Sequence, residues 1–454
     1  MSEISVEQIE QNFADIHPAM SHPEASFESN RCLYCYDAPC ARACPTHIDV
    51  PKFIKKIASG NVTGAARVIF DANPIGASCA RVCPVDVLCE GACVEKTLMA
   101  KPIEIGRLQR YATDHAMATG KVLFEKGEPN GKSVGIVGAG PAGLSCATYL
   151  ARLGYDVTIY DRKALPGGLD AHGMAEYKMT QSVAVEESRR VEELGVKFRL
   201  NAEIAVMPPP PALAGIGGTQ LLEIGTGTDL MTKHDAVFVG IGLGATRRLN
   251  IPGEDLHGVI DALHFIERVK TRDWLNVPLG RTVVVVGAGN TAIDAVTQAK
   301  RLGAERAILV YRKTPAEMPC YDYEYELAKS DGIEFQFNAA PVEIVGVNAV
   351  TALRCRRTDG SDEIFDVPCN MVIKAIGQTK QSGFFELLGA NHDEAGRVAV
   401  NELMQTSNAK VFAGGDCVNG GAEAVDAAQA GKKAAAGIHE VLTGEKANLA
   451  GLTV

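Results

Sequence analysis

Two strand–glycine loop–helix–strand units, and a leading segment crowded with cysteines, predict an α/β fold: a helical N-terminal domain followed by two Rossmann-like dinucleotide-binding domains, the second inserted in the first. The first unit runs from Ser133-Val134-Gly135-Ile136-Val137 through Gly138-Ala139-Gly140-Pro141-Ala142-Gly143 and an apolar helix into Asp156-Val157-Thr158-Ile159-Tyr160. The second repeats the programme with Thr282-Val283-Val284-Val285-Val286, Gly287-Ala288-Gly289-Asn290-Thr291-Ala292, a helix and Ala307–Tyr311. From Val411 a strand and the turn Gly414-Gly415-Asp416 read as the first nucleotide domain resuming after the insertion. The expected boundaries are 1–125 for the helical domain, 130–246 and 374–454 for the two parts of the first nucleotide domain, and 247–373 for the second.

The totals suit such a protein. Of 454 residues, 46% are apolar and 22% charged, which excludes wholesale disorder. The net charge of −10, without a basic run, argues against a nucleic-acid or anionic-membrane partner. Met1–Asn30 is polar and acidic with no apolar secretory core, and no run is long and apolar enough for a transmembrane helix, so a cytoplasmic location is expected.

Between the cysteines of the leading segment the spacing is helical: Val50, Phe53, Ile54 and Ile57 fall on one face. Gly120 and the Lys126–Gly131 stretch read as a linker, and the Pro-, Ala- and Gly-rich tract Met207–Gly218 as a surface loop. Of thirteen cysteines, eight lie between Cys32 and Cys93, in the pattern Cys32-x2-Cys35-x4-Cys40-x3-Cys44-Pro45, Cys79-x3-Cys83-Pro84, Cys89-x3-Cys93. In a large chain without an export signal this crowding points to metal or cluster ligation instead of disulfides. Thiolates at these spacings can converge on 4Fe-4S clusters, and proline after the last cysteine accompanies that use. Zinc is the rival, because four-cysteine sites also use C-x-x-C; attachment to two nucleotide modules favours clusters, since zinc carries no electrons.

A glycine loop after a strand turns backbone N–H groups and a helix N-terminus towards a pyrophosphate, with no side chains in the way. The first loop (Gly138, Gly140, Pro141, Ala142, Gly143) is followed by Asp161, placed to bind a ribose hydroxyl. Pro166-Gly167-Gly168-Leu169, the Gly240-Ile241-Gly242 turn and Gly415-Asp416 complete a pattern that resembles the two-dinucleotide-binding-domain flavoproteins over residues 133–440. That resemblance implies FAD in the first and last segments and NAD(P) in the insert. Asp416 also reads as a simple helix N-cap. In the second loop (Gly287, Gly289, Asn290, Thr291) Ala292 replaces a third glycine, a permitted small residue. Its second strand ends at Tyr311-Arg312-Lys313; two cations could pair with a 2′-phosphate or stand in solvent, so NAD and NADP remain open. Cys146, Cys320, Cys355, Cys369 and Cys417 form no C-x-x-C pair and read as buried small hydrophobes, so the flavin's outlet is expected in the leading segment.

Cys32-Leu33-Tyr34-Cys35-Tyr36-Asp37-Ala38-Pro39-Cys40, Cys44-Pro45-Thr46-His47-Ile48-Asp49, Asn73-Pro74-Ile75-Gly76 and Cys83-Pro84 through Cys89 resemble the N-terminal part of dihydropyrimidine dehydrogenase. The resemblance continues through both nucleotide loops; the small subunit of glutamate synthase shares the plan. It implies that Cys32, Cys35, Cys40 and Cys93 hold one 4Fe-4S cluster. Cys44, Cys83 and Cys89 would hold the other with Gln109, which stands in the matching Ile105-Gly106-Arg107-Leu108-Gln109 stretch; Cys79 is left over. Glutamate synthase small subunits carry glutamate there, so Gln109 tips the reading towards pyrimidine reduction, although it could equally be an exposed helix glutamine. The resemblance further implies cofactor contacts from Arg162, Gly168, Leu169, Lys178, Gly242, Gly377, Gly415, Asp416, Ala424 and Val425. The chain departs from the full-length enzyme in reaching Val454 without an FMN barrel, and in Glu176-Tyr177-Lys178-Met179, where relatives show Phe-Arg-Leu-Pro.

The expected function is hydride transfer from NAD(P)H to FAD, then single electrons through two clusters to an FMN/iron–sulfur partner subunit that reduces uracil or thymine. No protein acid or base is required. Service to another acceptor, such as glutamate synthase or a bifurcating transhydrogenase, is one alternative; a zinc-stabilised redox-sensing scaffold is another.

Overall fold

The computed structural model describes residues 4–205 and 223–452; the Met207–Gly218 tract lies outside them. The described chain forms two compact units. The larger takes its residues from His17–Ala171, Ser182–Leu243 and Lys380–Val454, the smaller from Met1–Ile16, His172–Gln181 and Gly244–Thr379. This division differs from the expected segments in two ways. Short pieces from the N-terminal region and from the middle of the first nucleotide domain join the insert, and the helical segment shares a unit with the first nucleotide domain.

In the larger unit five parallel strands run in the order Val411–Ala413, Ala236–Val239, Ser133–Val137, Asp156–Tyr160, Lys197–Arg199. Val134 and Ile136 are fully buried, as are Ile159 and Phe238, which is why these strands read as continuous β-branched and apolar runs instead of alternating ones. Such side chains stabilise by about 1.5–3 kcal/mol each on full burial. Strand order reverses at Ser133–Val137, so the glycine loop opens at the switch point where such sheets bind ligands. The core extends into the helical segment: Ile75 and Cys79 belong to the same buried cluster as Val134, Leu144 and Ile438.

The helices of that segment follow their caps and stripes. Helix Val50–Ala58 is capped by the Asp49 carboxylate, which accepts from the Lys52 N–H at 3.1 Å, and buries Val50, Phe53, Ile54 and Ile57. Helix Ile105–Thr119 ends at Gly120 in the left-handed region, φ +58°. The following linker lies along the next helix, Gly127 N–H donating to Ala151 O and Asn130 N–H to Gly154 O.

In the smaller unit a second parallel sheet has the order Glu334–Gln336, Arg306–Val310, Thr282–Val286, Met371–Lys374, Val259–Asp261. An antiparallel sheet, Ala339–Gly346, Val350–Arg357 and Ile364–Pro368, completes it. Ile9, Phe13, Ala175 and Tyr177 enter its core beside Phe265, Trp274 and Val283, which explains why the two short pieces belong here. Entry and exit of the insert pair as a ribbon, with Gly244 N–H to Thr379 O and Arg247 N–H to Gly377 O.

Candidate cofactor and cluster sites

The cysteine segment is shaped by short helices whose ends carry the thiols. Cys40 lies in helix Pro39–Ala43 and Cys44 caps its C-terminus; Cys83 caps helix Gly76–Val82, and Cys93 is the N-cap of Val94–Leu98. Tyr34, between Cys32 and Cys35, has φ +50°, a conformation unusual for a bulky residue; its hydroxyl donates to Ser29 O at 3.0 Å.

Cys32, Cys35, Cys40 and Cys93 line one small cavity of about 20 Å³, walled mainly by Pro39, Val50, Ile54, Ile103 and Ile105, with Glu95 at its side. Burial pushes the Cys40 thiol up to about 12, with Cys93 and Cys32 adding like-charge repulsion. Cys32 is raised by burial and by Cys35 and Cys93, against a lowering bond from the Tyr34 N–H. Burial disfavours the thiolates of Cys32 and Cys40 unless a cationic centre replaces their protons, which is what iron ligation does. Among the described residues no three His, Cys, Asp or Glu side chains are drawn together as for a single metal ion. Four cysteines around one apolar cavity, with no three drawn together on a single centre, suit a polynuclear cluster better than a tetrahedral zinc, whose sulfurs sit about 2.3 Å from one ion.

The second set is also gathered. The thiol of Cys83 is held well above its ordinary value by its hydrogen bond to Cys79, then by burial, with Cys44 and Cys89 among the repelling neighbours. Cys89 is raised by burial, then by Glu90 and Cys44, with a weaker contribution from Cys40 of the other set. Gln109 is buried and its Nε2 donates to Gly76 O at 2.7 Å, which orients the amide and leaves Oε1 as its free acceptor. Cys79 is engaged twice: its Sγ accepts from Asn73 Nδ2 at 3.1 Å, and it shares a hydrogen bond with the Cys83 thiol.

At the first nucleotide loop the glycines are required by close approach. A Cβ on Gly143 would lie 1.9 Å from Gly138 O, and one on Gly138 (φ +103°) 2.4 Å from Gly240 O. Gly140 caps helix Pro141–Arg152 with no side chain closing its N-terminus. Gly168 stacks against Gly140, where a Cβ would meet the Gly140 Cα at 2.6 Å, and Gly415 packs on Ala142. The Asp161 carboxylate accepts from the Ala139 N–H at 2.7 Å and the Lys163 N–H at 2.8 Å. Asp416 opens a short helix, accepts from the Ala422 N–H, and is raised by burial. Ala424 and Val425 begin the long helix Ala424–Thr443, whose Gly431 presses on Ala142 O. The open helix N-terminus and side-chain-free cradle fit a pyrophosphate. Arg162 and Leu169 are exposed at its edge, and Gly242 has φ +64° with open space beside it.

The second loop repeats the design. A Cβ on Gly287 (φ +134°) would lie 2.2 Å from Ala375 O, Gly289 caps helix Asn290–Arg301 without a side-chain bond, and Ala292 is fully buried. Asn290 Oδ1 accepts from the Tyr321 N–H, Thr291 is exposed, and Gly377 has φ +85° with open space around it. Arg312 and Lys313 are exposed at the strand end, Lys313 pairing with Glu317 at 3.1 Å.

Lys178, expected to contact the flavin, belongs to the other unit from the first loop. It lies in the smaller unit, buried between Asp294 at 2.6 Å and Glu324 at 2.7 Å. Burial and Asp294 push Glu324 up to about 7. Sequence reasoning also missed Glu187 and Lys432, two fully enclosed ionisable groups of the larger unit. Only their neighbours in space distinguish them from surface charges.

Residues 9–121 match the family "dihydropyrimidine dehydrogenase domain II, 4Fe-4S cluster" and residues 132–431 match "pyridine nucleotide-disulphide oxidoreductase". The chain is 35% identical to the NAD-dependent dihydropyrimidine dehydrogenase subunit PreT of Escherichia coli (strain K12), over 96% of this chain and 98% of that one. It is 34% identical to the glutamate synthase [NADPH] small chain of Halomonas elongata, over 95% and 93%. Among solved structures, the thioredoxin reductase of T. acidophilum superposes with a TM-score of 0.54 at 23% identity, over 68% of this chain and 98% of that one, a likeness of fold.

Proposed function

The chain belongs to the pyridine nucleotide-disulphide oxidoreductase family, in the group that also carries dihydropyrimidine dehydrogenase domain II, and from that premise we propose that it is the NADH-oxidising electron-input subunit of a dihydropyrimidine dehydrogenase. It is an oxidoreductase of an FAD-binding, NAD(P)H-using and 4Fe-4S-carrying kind. The observation that carries the reading is the cavity ringed by Cys32, Cys35, Cys40 and Cys93 in the unit that also holds the first glycine loop.

Cys32, Cys35, Cys40 and Cys93 would hold one cluster, and Cys44, Cys83, Cys89 and Gln109 the other. Gly138, Gly140 and Gly143 would admit the FAD pyrophosphate to the helix N-terminus, and Asp161 would orient the adenosine ribose. Gly287, Gly289 and Ala292 would do the same for the nicotinamide cofactor. When bound, FAD accepts hydride and the clusters relay single electrons to a partner subunit bearing FMN and iron–sulfur, where uracil or thymine is reduced. NADH is proposed over NADPH from the NAD-dependence in the names of the PreT relatives.

The glutamate synthase reading is supported by comparable identity. The Gln109 Nε2 bond to Gly76 O needs an amide, which favours the pyrimidine reading. The test is anaerobic purification with co-eluting chains, followed by NADH-dependent reduction of uracil and, separately, glutamine-dependent glutamate formation. Uracil reduction that requires the FMN-bearing chain supports the proposal; glutamate formation without uracil reduction overturns it.

A further inference from the structure

Lys432 sits in the middle of helix Ala424–Thr443 and is fully buried. Its Nζ donates to four main-chain carbonyls: Thr46 at 3.0 Å, Ala72 at 2.7 Å, Ala450 at 2.9 Å and Gly451 at 3.2 Å. An ammonium has three N–H donors and no lone pair, whereas a neutral amine surrounded by four acceptors would point its lone pair at one of them. The cage therefore selects the charged form. Burial opposes it, lowering the ammonium to about 7, while Cys44 and Asp71 are the negative groups that raise it. Lys433 is a further cation near this region, acting with Lys432 on His47.

The placement joins two sites. Gly431, the preceding residue, is pressed against Ala142 O in the first glycine loop. Lys432 grips Thr46, two residues beyond Cys44 and linked to it by a 3.4 Å contact between Thr46 Oγ1 and Cys44 Sγ. One turn of helix thus touches the dinucleotide cradle and the backbone two residues beyond a candidate cluster ligand. A carbonyl cage supplies no counter-charge, so the positive charge of Lys432 acts on whatever anionic centre Cys44 holds.

We propose that Lys432 is a positioning residue for the Cys44–Cys83–Cys89–Gln109 cluster, fixing the Cys44 turn and raising the reduction potential of that cluster through its buried positive charge. The inference rests on the cluster reading above. A reduced cluster carries one more negative charge than the oxidised one, so a fixed cation favours reduction and its removal lowers the potential.

The test uses the anaerobically purified holoprotein, with iron and sulfide assays and an EPR-monitored redox titration of wild type, Lys432→Gln and Lys432→Arg. Expected is wild-type iron in all three, a lower midpoint for one of two cluster signals in Lys432→Gln, the other signal unmoved, and a near-wild-type midpoint in Lys432→Arg. Loss of about half the iron in Lys432→Gln with retention in Lys432→Arg also supports the proposal, because charge is what distinguishes them. Unchanged midpoints in Lys432→Gln, or equal iron loss in both variants, overturn it. Absence of iron from the wild type would instead overturn the cluster reading itself.

Discussion

Glu187 gives the sharpest test of the electrostatics in the larger unit. Its carboxyl is 1% exposed and accepts from the Ala77 N–H at 2.6 Å, the Ser78 N–H at 3.2 Å and the Ser78 hydroxyl, at the start of the helix that leads to Cys83. These donors favour the carboxylate, but burial and Asp170 outweigh them and hold the group up at about 8 against an ordinary 4.5. The folded state therefore binds a proton that the unfolded chain releases, and stability contributed by this acid falls as pH rises from about 4.5 towards 8. At 1.36 kcal/mol per unit, the change between about pH 5 and 7.5 is about 3 kcal/mol. Glu187→Gln keeps an acceptor for Ala77 and removes the titration. Its stability relative to wild type should rise by that amount over the interval, seen as a shift of about 6 °C in the difference between unfolding midpoints at roughly 2 °C per kcal/mol. A midpoint difference independent of pH would refute the reasoning, since it would mean that the three donors keep Glu187 ionised.

Other substitutions separate the sites. Cys83→Ser should leave about four iron atoms per chain where wild type has about eight, while Cys79→Ser retains all of them, as read by iron and acid-labile sulfide assays. Gly143→Ala drives a Cβ to 1.9 Å from Gly138 O, and overpacking of about 1–3 kcal/mol should weaken FAD retention by about 5- to 150-fold, measured as flavin per chain after dialysis. Lys178→Met leaves Asp294 and Glu324 buried without their cation and should destabilise the smaller unit by about 3–5 kcal/mol, read as a lower unfolding midpoint with cluster iron unchanged.

Much of the framework was legible because it rests on local pattern. The strands Ser133–Val137 and Thr282–Val286 are runs of small and β-branched residues that each end in a glycine loop, and both occur at the residues the pattern indicated. The gathering of Cys93 with Cys32, Cys35 and Cys40 was not legible from spacing, because more than fifty residues intervene and only the resemblance implied it. Ile9 and Phe13 carry too short an apolar stripe to announce that they pack beside Trp274. Lys178 reads as a flavin contact in the stretch where relatives show Phe-Arg-Leu-Pro, yet its position between two carboxylates depends on residues more than a hundred positions away. Glu187 and Lys432 look like solvated helix charges until the chain segments that enclose them are known.

The remaining cysteines bear on where electrons can leave. A thiol outlet needs a thiolate near neutral pH, hence an exposed or cation-assisted sulfur. Here burial drives Cys417 and Cys355 up to about 12, Cys320 and Cys369 to about 11, and Cys146 well above its ordinary value. At pH 7 the thiolate fraction of the most acidic of these is on the order of one in ten thousand, too small for dithiol exchange at enzymatic rates. Cys32, Cys40, Cys83 and Cys89 of the leading segment are also raised, but they stand in groups, and a grouped set can be discharged at once by a cationic iron–sulfur core. What separates the two populations of sulfur in one chain is geometry: the isolated cysteines have no partner with which to share a cationic centre, and the clustered ones do.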